Sequence, residues 1–312
     1  MRVVVFTDSN TVVTAAVVRA LLREATVVGF VTTRPGAFPS GVAIWRVLAR
    51  GLVVAVTNAE VSFREALGAR FDLPRTARRC GIPVLVPPSG TPNDPDLLRE
   101  LTRLRPEVAL SCSCTHRFGR RVRGVFAHAV NLHGGLLPDY RGVMATSFSI
   151  FAGEAESGVT IHRMTGKLDG GPILVQGAVP LDEHSTLAEV SRAKSALAAS
   201  LVPRALERIA ADDPGRPQVG AGSSFTANDW MALTRLAAPA EATSGEIRRR
   251  IRAFGIVYLT IEEAEWPVTR VQDARSGARL AFRCADGRWL RPDRFAGLPG
   301  WLYRQRSGPS VP

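Results

Sequence analysis

The sequence predicts an α/β fold, with a doubly wound, mostly parallel sheet and a second, smaller, mostly β C-terminal domain. Three observations carry this. Short uninterrupted apolar runs recur through the first part of the 312-residue chain, at 3–6, 27–31, 82–86, 108–111 and 129–132. Segments of helical periodicity separate them, at 12–22, 74–80 and 94–104. After residue 256 the pattern changes to short alternating runs, the last of them divided by Ser276-Gly277 and Asp286-Gly287.

An apolar run without alternation is a strand covered on both faces, and intervening amphipathic helices supply that cover. Strands linked through helices pair in parallel, which gives a Rossmann-like sheet. Residues 38–73 exceed what one crossover needs; with helical stretches at 42–52 and 62–67, they read as an insert between the second and third strands. Thr186 and Glu189 have capping-box spacing and open a helix running to about residue 210. The stretch 212–224 is rich in Asp, Pro and Gly and reads as a linker. Thr243 and Glu246 repeat the capping spacing before a helix at 247–254, and strands follow at 257–262, 268–271, 280–284 and 288–290. The expected division is an α/β domain at 1–210, a linker at 211–226 and a small domain at 227–312.

Hydrophobic residues make up 46% and charged residues 22%, an ordinary globular balance. The formal net charge is +12, yet only Lys167 and Lys194 are lysines and the arginines are scattered. From residue 206 onward there are 16 arginines against 12 acidic residues. Such a spread makes a diffuse positive field rather than a dedicated polyanion face, and the run at Arg248, Arg249 and Arg250 reads as a solvated helix face. Cys80, Cys112, Cys114 and Cys284 form no CxxC pair and no zinc-type spacing with histidine, so no metal is expected. Cys112 and Cys114 alternate on an apolar run and read as facing one side of a strand. The chain opens on a strand-like run rather than a leader, and no stretch is long and apolar enough for a bilayer. These features point to the cytoplasm, with reduced thiols and no membrane partner.

The chemistry concentrates in two stretches. Asn131 and His133 end the run at 129–132, and their spacing of two puts both side chains on one face at the carboxyl end of a strand, where open α/β sheets bind ligands. Gly134, Gly135, Leu136, Leu137, Pro138, Asp139, Tyr140, Arg141 and Gly142 follow as a loop. Further on, Leu168 and Asp169 precede Gly170, Gly171 and Pro172 between two apolar strands. Amide, imidazole and carboxylate together suit acyl transfer to an amine. The amide N–H stabilises an oxyanion, the imidazole moves a proton near neutral pH, and the carboxylate orients the imidazole. No Gly-x-Ser-x-Gly elbow suggests a covalent intermediate.

Asn131-x-His133, then Leu136-Leu137-Pro138, then Leu168-Asp169-Gly170-Gly171, in this order and spacing, resemble the folate-dependent formyltransferase family. The resemblance is strong over about 80–205 and covers the first strand weakly. It departs at Gly135, where the family loop carries Ser. It implies N10-formyltetrahydrofolate as donor, with Asn131 on the formyl oxygen, His133 as acid/base and Asp169 supporting His133. It implies a pterin pocket built largely of main chain, from Thr115, His116, Arg117 and Phe118 after one strand and Met164, Thr165, Gly166, Lys167 and Leu168 before the acid, with Leu137 beside them. Gly135, Tyr140 and Arg141 are the expected substrate contacts, Arg141 alternatively a folate-tail contact or a plain loop residue.

The remaining histidines read more simply. His128 is a buried or edge residue, His184 a turn residue before a helix, and His162 a strand residue whose alternation leaves the site as a second reading. Trp289 and Trp301 read as core of the small domain. Among acceptors, glycinamide ribonucleotide is disfavoured because Thr7-Asp8-Ser9-Asn10-Thr11 offers no glycine-rich phosphate loop after strand one. Ile251-Arg252-Ala253-Phe254 resembles methionyl-tRNA formyltransferases. The Gly-Thr-Pro after strand one and the Trp-Pro-Gly after the Phe are absent, and the insert is unlike their basic loop, so tRNA is not the expected partner. A small-molecule amine is expected, an amino sugar (free or nucleotide-linked) foremost, hydroxyornithine being another candidate. A methionyl-tRNA formyltransferase or a formyl-folate hydrolase are the alternatives. Apolar strands in the small domain leave a homodimer open.

Overall fold

The computed structural model describes residues 1–8, 11–33 and 72–296. The insert helices expected at 42–52 and 62–67, and Trp301, lie outside the described residues. The first layer is a seven-stranded sheet of β1 (Arg2–Phe6), β2 (Thr26–Val31), β3 (Val84–Leu85), β4 (Val108–Cys112), β5 (His128–His133), β7 (Glu156–Arg163) and β8 (Ile173–Pro180). Its order is β3-β2-β1-β4-β5-β7-β8. The first five strands are parallel; β7 runs antiparallel to β5, and β8 antiparallel to β7. The chain leaves β1 towards β2 on one side and later places β4 on the other, so the topological switch lies between β1 and β4.

Helices cover both faces, as the unbroken apolar strands require. On one, α1 (Val12–Glu24) packs against the long α6 (Leu187–Ala210); Val17, Val18 and Leu21 meet Ala198, Leu201, Val202 and Ala205 in the largest core cluster. Leu73 and Ala77 of α2 (Leu73–Cys80) join that same cluster, and the other face is covered by α3 (Pro95–Leu104) and the one-turn α4 (Arg120–Arg123). Leu97, Leu101 and Val122 there join Val4, Phe6 and Phe126. The helix starts follow their caps. Thr11 accepts from Thr14 N in α1, and in α6 Thr186 and Glu189 make both bonds of the predicted capping box.

After β5, the loop carries the short β6 (Arg141–Gly142) and leads into α5 (Ala145–Ala152). The small domain comprises α7 (Ala227–Thr234), α8 (Ser244–Phe254) and a five-stranded sheet, order β10-β11-β12-β14-β13. Those strands are β10 (Arg235–Leu236), β11 (Val257–Ile261), β12 (Ala264–Asp273), β13 (Phe282–Arg283) and β14 (Trp289–Phe295). Its helix α8 docks on α5 through aromatics: Phe254 lies 5.7 Å from Phe148 and 5.6 Å from Phe151, ring centre to ring centre. Each such buried ring contributes about 2 kcal/mol of apolar burial.

Two expectations need correction. The stretch 212–224 is not a free linker. Arg216 bridges to Ile173, and β9 (Ser224–Phe225) pairs in parallel with β6, so the segment straps the loop that follows β5. Cys112 and Cys114 do not share a strand face either. The strand ends at Cys112, Ser113 adopts φ 58°, and this left-handed residue redirects the chain before Cys114. Among the described residues, no helix is long and apolar enough to cross a membrane.

Candidate active site

The site is built around the carboxyl end of β5. Antiparallel pairing sets Asn131 opposite His162 and His133 opposite Thr160 on β7. Asp169, in the loop between β7 and β8, returns to this point. Its φ of 47° is left-handed, and three hydrogen bonds hold it in place. Its Oδ1 accepts from Asn131 Nδ2 at 3.2 Å and its Oδ2 from Gly142 N at 2.8 Å; its backbone carbonyl accepts from Gln218 Nε2 at 2.6 Å. His133 Nδ1 lies 3.5 Å from Oδ2, and His162 Nε2 3.5 Å from Oδ1. The three residues expected to act together thus converge on one buried carboxylate, with His162 as a fourth member. His162 donates from Nδ1 to the Arg163 carbonyl at 2.9 Å, and its Nε2 faces both Asp169 and Asn131 Nδ2, the latter at 3.2 Å.

The electrostatics are opposed by design of the fold. Burial pushes the His133 imidazole below its ordinary 6.5, and the Asp169 charge offsets this only in part. For Asp169, burial disfavours the carboxylate, but hydrogen bonding from His162, the His133 charge and the Gly142 N–H outweigh it and hold the carboxyl below its ordinary value. His133 sits between two acceptors: Asp169 on Nδ1 and the Tyr140 carbonyl, 2.7 Å from Nε2. A neutral ring satisfies one of them and an imidazolium both, so the ring is poised to take a proton that burial otherwise resists.

The expected substrate residues are spread differently. Gly135 is buried beneath His133; a Cβ there would stand 2.9 Å from His133 Nε2 and 3.0 Å from Ala145 Cβ, which accounts for glycine in place of serine. Tyr140 meets His133 through its backbone, while its hydroxyl donates to Glu154 at 2.5 Å and its ring stacks on Phe225. The Arg141 guanidinium is committed to Gln218 Oε1 at 2.8 Å and Ala221 O at 3.0 Å, anchoring the strap. Gln218 also donates to Gly171 O at 2.9 Å, so one strap residue joins both halves of the site. Nothing in the composition of 212–224 announced that role.

The expected folate segments flank β5 through its two neighbours, one following β4 and the other β7. Thr115 and Arg117 are exposed, His116 is half-buried, and Phe118 turns into the core against Phe6. Met164 is tied by its N–H to Ala129 O at 2.8 Å, and Thr165, Gly166 and Lys167 are exposed. Leu168 leaves a large apolar side chain 46% exposed, and Leu137 is buried. Exposed main chain with an uncovered leucine fits a flat ring lying on the loop. Asp8 ties three strand ends together: its Oδ1 accepts from Thr33 N and Thr33 Oγ1, both at 2.7 Å, and its Oδ2 from Thr115 N at 3.3 Å. With its hydrogen given to Asp8, the Thr33 hydroxyl accepts from His116 Nδ1 at 3.1 Å, which turns Nε2 outward. Asp8, Cys114 and His116 bring ligand-capable atoms within 4.8 Å of one another, a grouping that no sequence spacing revealed. His128 is half-buried beside Asp212 and Arg163, and His184 is exposed before α6.

Residues 1–206 match the formyl transferase family. A methionyl-tRNA formyltransferase of Roseiflexus sp. (strain RS-1) is 36% identical over 245 residues, which are 76% of this chain and 68% of that protein. One of Enterococcus faecalis is 31% identical over 189 residues, 54% of this chain and 58% of that one. Among solved structures, an N-formyltransferase from Helicobacter canadensis, in complex with folinic acid and dTDP-3-aminofucose, superposes with a TM-score of 0.62 at 18% identity, covering 94% of this chain and 98% of its own. A sugar N-formyltransferase from Shewanella sp FDAARGOS_354 gives 0.61 at 18% identity over 86% of this chain and 97% of its own. These structural likenesses show the fold. The family match over 206 residues, with Asn131, His133 and Asp169 gathered inside it, shows that the chain belongs to the formyltransferase family.

Proposed function

We propose that the protein transfers a formyl group from N10-formyltetrahydrofolate to the amine of a small molecule in the cytoplasm, with an amino sugar, free or nucleotide-linked, as the foremost acceptor. The observation that carries this is the convergence of Asn131, His133 and His162 on the buried carboxylate of Asp169. Bound folate supplies the activated formyl group, and the main chain around Thr165, Gly166 and Lys167, with Leu168 and the segment from Thr115, would hold it. On attack, the amine nitrogen bonds to the formyl carbon and the carbonyl oxygen gains charge. One Asn131 N–H, turned from His162, donates to that oxygen. His133 takes the proton released by the amine and returns it to the departing folate nitrogen, while Asp169 keeps the imidazolium oriented. The Tyr140 carbonyl occupies the Nε2 direction of His133, so the acceptor amine displaces it on binding.

The acceptor assignment rests on the scattered arginines and on the helix-to-strand passage Phe254, Gly255, Ile256, Val257, which lacks the Trp-Pro-Gly of tRNA enzymes. The Helicobacter relative, crystallised with an aminosugar nucleotide, accords with it. Formylation of Met-tRNA is the second reading, favoured by the Roseiflexus protein at 36% identity. A single assay separates them: folate release monitored with amino-sugar nucleotides, small amines or charged initiator tRNA as acceptor. Transfer to an amine that His133→Ala lowers by about 10²- to 10⁴-fold, with folate binding retained, is the expected result. Turnover with tRNA alone would overturn the acceptor, and unchanged turnover in His133→Ala would overturn the mechanism.

A further inference from the structure

Lys194 lies on α6, outside every motif above, and is only 2% exposed. A lysine this deep ordinarily has a carboxylate partner. Here Nζ donates to three neutral oxygens: the Gly134 carbonyl at 2.9 Å, Thr146 Oγ1 at 2.9 Å and Ser157 Oγ at 2.5 Å. Three donors meeting three acceptors is the full complement of an ammonium. The arrangement is supported behind as well, since Ser157 Oγ pairs with Ser149 Oγ at 2.6 Å. The acceptors therefore come from three places, the end of β5, α5 and β7, and the first of them is the carbonyl of the residue immediately after His133.

We propose that Lys194 is a positioning residue for the transfer reaction: its buried ammonium clamps the Gly134 carbonyl, fixing the turn that carries His133 and Gly135. Its positive charge, set behind that turn, also opposes protonation of His133. The inference rests on His133 being the acid/base group. The titratable groups around this centre are His133 on β5, His162 on β7 and Asp169 in the following loop; α5 faces it with hydroxyls only, Thr146 and Ser149. Two of the surrounding effects oppose each other at His133, where Asp169 favours the imidazolium and Lys194 disfavours it. Burial brings Lys194 itself down to about 7, so the clamp's charge is half present at neutral pH and complete in the more acidic range where His133 titrates. A leucine or methionine at this position would fill the space equally well, so packing alone does not call for an ammonium.

The test compares wild type, Lys194→Met and Lys194→Gln by NMR titration of the His133 imidazole and by kcat and KM at several pH values. Removal of the charge in Lys194→Met is expected to raise the His133 titration midpoint. kcat is expected to fall roughly tenfold to a hundredfold with KM for the folate little changed, as a displaced catalytic group would give. Lys194→Gln keeps amide donors for Gly134 without the charge. It is expected to share the raised midpoint while recovering part of kcat, and it stands in if the Met variant does not fold. A His133 midpoint that stays in place in folded variants overturns the proposal, as does an unchanged kcat. The titration needs no turnover, so a wild type that transfers no formyl group would sink the functional reading while leaving this one to its own result.

Discussion

At the scale of single residues, the site works by opposition. His133 is held between Asp169 and the Tyr140 carbonyl, both acceptors, in surroundings that resist its charge. In the proposed mechanism the base is the neutral His133 imidazole, and burial has moved its titration below 6.5. The acid limb of kcat/KM is therefore expected to fall below pH 6.5, with activity kept through neutrality. Asp169→Asn removes the anion that favours the imidazolium, so the residual activity should show an acid limb at still lower pH, besides a loss of about 10²-fold or more. Removing the Lys194 charge should move it the other way. A pH–rate series on the variants reads both signs, and limbs moving together would contradict the electrostatic picture. Much of this was legible in the sequence. The spacing of Asn131 and His133 placed both on one strand face, and the acid before Gly170-Gly171 marked the third member. His162 was only a second reading, because one alternating histidine on an apolar strand has no signature until pairing sets it opposite Asn131. Lys194 carried no signal at all: a lysine in an amphipathic helix reads as solvent-facing until packing buries it.

At the scale of elements, the strap is what local sequence could not show. Its proline, glycine and aspartate content is that of a loop, and it is a loop, but a bound one. Gln218, Ala221, Ser223 and Phe225 hold the loop after β5 through Arg141, Tyr140 and Gly142, and Gln218 reaches Asp169. These contacts join residues 49 to 83 positions apart in sequence, beyond any local pattern. Gly142 shows how close the approach is. Its φ is 89°, and a Cβ there would lie 2.2 Å from the Phe225 carbonyl. Gly142→Ala should therefore separate β6 from β9 and withdraw the N–H that Asp169 accepts, costing about 2–4 kcal/mol by strain and a lost buried hydrogen bond. Denaturant melts together with kcat test this. Wild-type stability and turnover in the variant would show that the strap does not brace the site. The strand and helix predictions fared better because they depend on local periodicity. Caps at Thr186 and Thr243 set two helix starts, and the unbroken apolar runs set the parallel strands.

At the scale of the molecule, three layers of organisation meet at one point. The parallel sheet delivers Asn131 and His133 at a carboxyl edge, the antiparallel β7 and β8 bring back Asp169, and the strap closes the loop between them. The small domain is coupled to that loop rather than appended. Phe254 of α8 packs on Phe148, Phe148 stacks on Phe225 at 4.0 Å, and Phe225 stacks on Tyr140. This aromatic series runs from the domain the family match leaves out to the residue whose carbonyl meets His133. In the proposed function this edge binds an N10-formyl folate and aims its formyl group at Asn131. The most direct test is calorimetric titration of wild type and Asn131→Ala with a stable, non-transferable N10-formyl folate analogue. Saturable binding with a Kd of about 1 µM to 100 µM, weakened in the variant, is the predicted result. No binding by well-folded wild type would contradict it and leave the Asn131, His133 and Asp169 cluster to other acyl chemistry.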